Sequence, residues 1–571
     1  MSLAPAPRAD NYKWLALSNT TVGIMLATID SSITLIAMPD IFRGIKLNPL
    51  DPNNSFYLLW MILGYLIVSS VLVVSLGRLG DIHGRVRMYN LGFVIYTAAS
   101  LLLTIDWMTG RAGADWLIGM RLVQGVGGAF LIANSAAILT DAFPANQRGL
   151  ALGINNVAGI SGTFIGLVVG GVLAPIDWRL VFLVSVPLGL FGTIWSYRVL
   201  QERGERHPAP IDWWGNVTFA VGLVLVMIGI TYGIEPYHGH SMGWTSPAVI
   251  GELFGGVVIL GVFVAIERQV GNPMFRLTLF RVRAFTAGTL STFLAACARG
   301  GLLFMLIIWL QGIWLPQHGY SFERTPLWAG IYMLPLTLGI LVAGPLSGVL
   351  SDRLGARPFS TGGMIGTGVM FVLLSLIPVN FHYGTFATLV FLEGVCFGSF
   401  ASPNRAAVMN SLPPADRGAG GGMNATFQNS AQVLSIGVFF SLMIAGLASS
   451  LPRTMAAGLA AQGVPAAQAQ HVAHVPAVSI LFAAFLGYNP LKTLLPAKVL
   501  AGLTPAQQAV VTGRSFFPKL ISGPFRTGLH EAFAFAVACC AVAAFASWSR
   551  GKRFVYGDAP LSPAVEAVTP H

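Results

Sequence analysis

The sequence predicts an all-α integral membrane protein with fourteen transmembrane helices, arranged as two six-helix bundles plus two inserted helices. Three observations predict it. Apolar stretches of about 20 residues, each enough to cross a hydrocarbon core, recur from one end of the chain to the other. Of 571 residues, 54% are hydrophobic and 10% are charged, where a soluble domain carries about 25% charged residues. The two ends of the chain also repeat one pattern of Gly, Pro and Arg at a fixed spacing.

In chain order the candidate spans are 14–38, 56–76, 88–105, 114–139, 149–173, 179–199, 213–233, 247–266, 285–313, 327–350, 359–378, 384–410, 419–447 and 528–548. The 66 glycines suit them, because small residues let membrane helices approach closely. The spans divide the chain into an N-terminal six-helix bundle (1–200), a cytoplasmic linker with two inserted helices (201–284), and a C-terminal six-helix bundle (285–571) holding a long extracytoplasmic loop (449–527). An even count puts both termini on one side. With that side cytoplasmic, its loops hold twenty Lys and Arg residues, among them Arg78, Arg85, Arg276 and Arg281, against five in the short loops opposite. This positive-inside bias places both termini in the cytoplasm. Met1 to Tyr12 carries no basic stretch followed by a short apolar core and cleavage site, so the first apolar run is expected to be retained. Within the long loop, Val475 to Gly487 is apolar but too short to span, and is expected to be interfacial or re-entrant.

Several function classes are excluded. The formal charge of +11 lies in short loops rather than one stripe, which argues against nucleic acid as a partner. Cys297, Cys396, Cys539 and Cys540 sit in apolar segments without CxxC or metal-ligand spacing, as small packing residues. The chain has no GxxxxGK[ST] loop for nucleotide, no HExxH, and no HxxxxD or GxSxG in a suitable place for a membrane enzyme. No cofactor or metal is expected.

The repeat is specific. Gln124-Gly125-Val126 leads to Pro144, Arg148, Gly149, Gly153 and Asn155, while Glu393-Gly394-Val395 leads to Pro413, Arg417, Gly418, Gly422 and Asn424, at a constant offset of 269. Gly77 to Arg85 after the second span matches Gly348 to Arg357 after the tenth, at an offset of 271 between Asp81 and Asp352. Spans 1–6 thus match spans 9–14, and spans 7 and 8 stand outside the repeat. Parallel repeats of this kind characterise a large class of secondary transporters that bind substrate near the midplane.

At these residues the sequence resembles the major facilitator superfamily and, more narrowly, its fourteen-span drug:proton antiporters. The resemblance covers about residues 14–447 and the last span. It rests on Gly77, Gly80, Asp81, Gly84 and Arg85 between spans 2 and 3; on Arg121, Gln124 and Gly125 in span 4; on Gly162, Gly166, Gly170 and Gly171 in span 5; and on Ala27 to Pro39 with Asp30 in span 1. Leu167 stands where the family's span 5 carries proline. The resemblance implies the major facilitator fold and a proton-driven exporter of small amphipathic molecules in a bacterial inner membrane, acting as a monomer by alternating access. An exporter or flippase of a lipid or an endogenous hydrophobic metabolite fits the same fold, and a channel or membrane sensor is a further class.

Charges inside spans are costly and mark candidate sites. Asp30 and Arg121 are expected to handle protons, an arginine near a carboxylate controlling its protonation. Arg299 lies at the repeat position of Asp30, and Glu393 at that of Gln124. From equal depth, Asp30 and Arg299 are expected to face one another, with Glu393 as a second protonation site. Glu252 in span 8 is expected to be peripheral. Asp81 and Arg85 are expected to form a conformational latch, Asp81 pairing with an arginine across the two halves, with Asp352 and Arg357 as a weaker counterpart. Gly162, Gly166, Gly170 and Gly171 provide a helix-packing face, and Trp60, Trp309 and Trp314 suit interfacial anchoring.

Overall fold

The structure is a computed structural model that describes residues 9–48, 50–51, 54–144, 147–203, 212–238, 240, 242–271, 273, 275–413, 416–487 and 489–551. Among the described residues, fourteen helices are long and apolar enough to cross a membrane. The first six are α1 (Asn11–Gly44), α2 (Phe56–His83), α3 (Arg85–Thr104), α4 (Gly110–Ala142), α5 (Leu150–Leu173) and α6 (Leu180–Val199). The inserted pair is α7 (Trp213–Gly233) and α8 (Pro247–Glu267). The second six are α9 (Arg283–Gln317), α10 (Thr325–Ser351), α11 (Ala356–Leu376), α12 (Tyr383–Asn410), α13 (Ala419–Ala461) and α14 (Phe516–Ser549). The shortest has 20 residues, about 30 Å of helix.

The repeat is visible in the backbone. Gly84 ends α2 at φ 108°, and Gly355, 271 residues later, separates α10 from α11 at φ 84°. Each is a one-residue reversal in a conformation that a Cβ disfavours. The sequence placed the end of α13 too early and the start of α14 too late. Both run on into the long loop, to Ala461 and from Phe516, with Pro452 and Pro524 inside them. A proline removes one backbone donor, and neighbouring helices support the flanking turns.

The halves meet most closely at the end opposite the basic loops. There a Cβ on Gly171 of α5 would lie 2.5 Å from the Leu327 Cα of α10, and one on Gly330 would lie 2.9 Å from the Leu167 carbonyl oxygen. Leu167, where proline was expected, is therefore part of a backbone-to-backbone contact between halves. At the basic-loop end a side-chain contact crosses between halves: the partly buried Arg405 donates from Nη1 to Oδ1 of the exposed Asn156 at 2.7 Å.

The inserted helices are not an appendage on one side of the bundle. α7 follows α2 along its length, with Ser75 donating to Asn216 near one end and Phe56 stacked on Tyr232 at the other, ring centroids 5.8 Å apart. It also meets the second half, since Gly437 of α13 packs on Ile230. α7 thus occupies a seam between the halves. α8 packs on α7 through Gly256 and Gly222 and turns Phe254 and Val257 outward, as lipid contact requires.

The apolar segment of the long loop is buried against the helices of the second half. Ala477–Phe485 is a nine-residue helix in which every residue is buried. It lies against α9 and α13, with Phe485 5.0 Å from Phe304 and Phe482 5.8 Å from Phe440. Its seat on α9 is a π-helical turn, Trp309–Trp314, where a Cβ on Gly312 would lie 2.7 Å from the Ala484 carbonyl oxygen. Asn489 fastens the following turn by donating to the Val511 and Gly513 carbonyls at 3.1 and 2.9 Å. Trp309 and Trp314 are consequently not interfacial anchors: both are buried, and their Nε1 atoms donate to the Val379 and Phe381 carbonyls at 3.0 and 2.9 Å. Trp60 is half-buried against Phe56.

Gly312→Leu is expected to unseat the loop helix, since overpacking costs about 1–3 kcal/mol. A cysteine placed at the buried Ser479 in a background lacking the native cysteines should then react with maleimide much faster than it does without the glycine change.

Candidate functional site

Two clusters of charge lie inside the helical bundle, one in each half. The first joins four helices. Asp30 of α1 and Gln124 of α4 are fully buried and Arg121 of α4 is 2% exposed. Arg121 Nη1 donates to Asp30 Oδ2, and also to Gln124 Oε1 at 2.7 Å. Gln124 Nε2 donates to Asp30 Oδ1 at 2.9 Å and to the Ser100 hydroxyl of α3 at 2.9 Å. Arg121 Nε donates to the Met61 carbonyl of α2 at 3.4 Å, and the guanidinium lies 4.8 Å from the Tyr65 ring centroid. Both carboxylate oxygens thus have donors, and the pair is neutral. Three glycines of α5 bring it onto the helix that carries Asp30. Cβ atoms on Gly162, Gly166 and Gly170 would lie 3.1 Å from the Met25 carbonyl oxygen, 3.0 Å from the Ile29 Cα and 3.1 Å from the Ile33 carbonyl oxygen. The fourth glycine of the motif, Gly171, faces the other half instead.

The second cluster is Arg299 of α9 with Glu393 of α12. Arg299 Nε lies 3.4 Å from Glu393 Oε1, and the guanidinium sits 4.2 Å from the Phe397 ring centroid. Arg299 ends the first segment of α9, immediately before Gly300 and Gly301. A Cβ on Gly300 would lie 2.8 Å from the Gln432 carbonyl oxygen of α13. The Ser435 hydroxyl bridges the break, accepting from the Gly301 N–H at 3.0 Å and donating to the Cys297 carbonyl at 2.5 Å.

The expected juxtaposition of Asp30 and Arg299 is not found, because each has its partner within its own half. The repeat explains the pattern. Positions 30 and 124 bond in the first half, and their counterparts 299 and 393 pair in the second. Arg121 has no charged counterpart; position 390 is Val.

The expected latch also differs. Among the described residues, Asp81 pairs within its own half rather than across the halves. Arg85 donates to Asp81 Oδ1 at 2.9 Å and to Asp141 Oδ1, at the end of α4, at 2.6 Å. The Glu202 carboxylate accepts from the Val86 and Arg87 N–H groups at 3.3 and 3.4 Å, capping α3. Asp141 and Glu202 were not singled out from sequence, being single acids at helix ends without a motif. Gly77 and Gly80 lie on α2 before this turn, and a Cβ on Gly80 would strike Asn134 of α4. Arg357 lies 5.1 Å from the Trp548 ring of α14, and the Asp352 side chain lies outside the described residues.

Glu252 is away from both clusters. With Glu235, Tyr232, Tyr237 and Ser246 it lines a separate cavity of about 290 Å³ beside α7 and α8. Burial pushes the Glu235 carboxyl up to about 7.

Comparison with known proteins follows this geometry. The sequence profile of the Major Facilitator Superfamily matches residues 20–436. The chain is 26% identical over 444 residues to the riboflavin transporter RibZ of Clostridioides difficile, covering 76% of this chain and 89% of that one. It is 27% identical over 455 residues to the methyl viologen resistance protein SmvA of Salmonella typhimurium, covering 79% and 86%. Among solved structures, an inward-facing bacterial homologue of the human lysosomal transporter Spinster aligns with a TM-score of 0.57 at 15% identity, over 94% of this chain and 97% of that one. A peptide transporter in complex with sulfate aligns with a TM-score of 0.54 at 14% identity, over 83% and 93%. These two likenesses show a shared fold.

Arg121→Ala strands a buried carboxylate and is expected to cost about 3–5 kcal/mol of stability. Combining Asp30→Asn with Arg121→Gln should recover most of the loss in thermal unfolding in detergent; fully additive losses would show that the two do not act as a pair. Glu235 makes a pH-dependent contribution. It releases its proton near 4.5 when unfolded and near 7 when folded, so the folded state binds more protons in that window. Stability from this residue is therefore present at low pH and falls as pH rises from about 4.5 to about 7. Glu235→Gln should raise the Tm at pH 8 and leave it unchanged at pH 4.5.

Proposed function

Because the chain belongs to the Major Facilitator Superfamily, we propose that it is a proton-coupled secondary transporter, of the fourteen-span drug:proton antiporter type, that exports small amphipathic molecules by alternating access. The superfamily consists of transporters rather than enzymes, and no cofactor is required. The observation that carries the proton coupling is the buried Asp30–Arg121–Gln124 cluster. A carboxylate that deep in a membrane protein is maintained only with its counter-charge in place. Protonating Asp30 removes the ion pair, loosens α1 from α4 and biases the bundle toward another arrangement. Deprotonation restores it. The proton gradient then drives the cycle, entering at the outer side and leaving at the inner one.

Alternating access suits the contacts between halves. The α5–α10 contact at Gly171 and Gly330 opens for outward release, and the Arg405–Asn156 bond and the loops around Asp81 and Arg85 reorganise at the other end. The positive-inside bias supports placing that other end, with both termini, in the cytoplasm. The substrate reading leans on relatives named for resistance to methyl viologen and for tetracenomycin C resistance and export. A relative named as a riboflavin transporter supports a second reading, an endogenous metabolite as substrate.

Inside-out vesicles containing the protein are expected to accumulate ethidium when a proton gradient is applied and to lose it on addition of an uncoupler. Asp30→Asn should abolish gradient-driven accumulation. Flux in the wild type that ignores the uncoupler would overturn the antiport reading.

A further inference from the structure

We propose that Glu393 is a second proton-exchange site, in the C-terminal half, with Arg299 as a movable counter-charge. The proposal rests on proton coupling as read above and extends it to a residue pair whose construction differs from the first.

The contrast between the two clusters carries the argument. Asp30 has donors on both oxygens, and its arginine is as buried as it is. Glu393 is also fully buried, yet neither of its carboxylate oxygens accepts a hydrogen bond among the described residues, and the Arg299 Nε beside it makes none either. An ionised carboxylate in that environment is poorly compensated, whereas a carboxylic acid is neutral and tolerates it. Arg299 is 27% exposed, on a helix that otherwise presents apolar residues at this depth. Its ring contact with Phe397 holds the guanidinium beside the carboxyl, and the Gly300–Gly301 break next to it lets the first segment of α9 shift against the second.

These features describe two states of one pair. With Glu393 ionised, Arg299 is drawn in and the pair is neutral. When a proton from the aqueous phase binds a Glu393 carboxylate oxygen, the attraction ends and the guanidinium turns to the water-exposed side. The proton leaves by the reverse step. The other titratable groups near Glu393 are thiols, Cys396 on its own helix and Cys540 on α14; α10 and α11 carry charge only near their ends, at Asp352, Arg353 and Arg357. Among the described residues, Arg299 is thus the charged group placed to respond.

The test compares wild type, Glu393→Gln and Glu393→Asp in two measurements. Infrared difference spectra of purified protein between pH 5 and pH 8, recorded in a Glu235→Gln background, should contain a carboxylic C=O band that Glu393→Gln removes and Glu393→Asp shifts. In vesicles, Glu393→Gln should keep downhill ethidium exchange while losing about tenfold in gradient-driven accumulation per unit of pH difference, the amount one coupled proton supplies; Glu393→Asp should retain coupling. A carboxylic band pattern that Glu393→Gln leaves unchanged, or an accumulation ratio equal to that of wild type, overturns the proposal. An uncoupler-insensitive wild type overturns the antiport reading instead, and the infrared band still decides whether Glu393 binds the proton.

Discussion

An ionised group inside a hydrocarbon-thick bundle has to be neutralised within a few ångströms, and this requirement organises the protein. Asp30 is held by Arg121 and Gln124 from a single neighbouring helix, three residues apart and so on one face of α4. Ser100, Met61 and Tyr65 complete the shell from α3 and α2. Four of the six helices of the first bundle are therefore tied to one carboxylate. The glycines of α5 serve the same arrangement, because they let a fifth helix lie directly on the one that carries it.

The second bundle meets the requirement with the charges exchanged. The basic residue stands on the first helix of the repeat and the acid on the fourth, and the extra arginine is replaced by Val390. One arginine fewer leaves a pair with fewer hydrogen bonds, beside a break in its own helix. The two halves share a fold and a register but differ in how tightly a buried charge is held. A transporter built from equivalent halves gains direction only where they differ, and this is such a place.

Between the halves, close packing and loose packing are divided by position. At one end, glycines allow α5 and α10 to meet backbone to backbone, and the buried loop helix fills space against α9 and α13 near the same end. At the other, a side-chain hydrogen bond from Arg405 to Asn156 spans the gap. Helix α7 lies along the seam, touching α2 and α13, so the inserted pair belongs to the interface between bundles rather than to either bundle alone.

The number and order of helices, the duplication and the charges inside spans at Asp30, Arg121 and Glu393 were legible in the sequence, whereas the burial of Asp106, Glu267 and Arg550 at helix ends was not. Apolar length is a local property, and Gly, Pro and Arg at an offset of 269 are too specific to arise without a shared backbone. The depth of each charge could be read as well, because helix rise is constant. Its partner could not. Asp30 and Arg299 occupy equivalent repeat positions but pair with Arg121 and Glu393, and Asp81 pairs with Arg85, which in turn reaches Asp141. Trp309 and Trp314, read as interfacial, are covered by other aromatic rings. In each case the sequence determined how far along a helix a residue sits, and the tertiary structure decided which way it faces. Helix rotation and crossing are set by the summed packing of neighbours, and hydrogen bonds only a few ångströms long depend on the result.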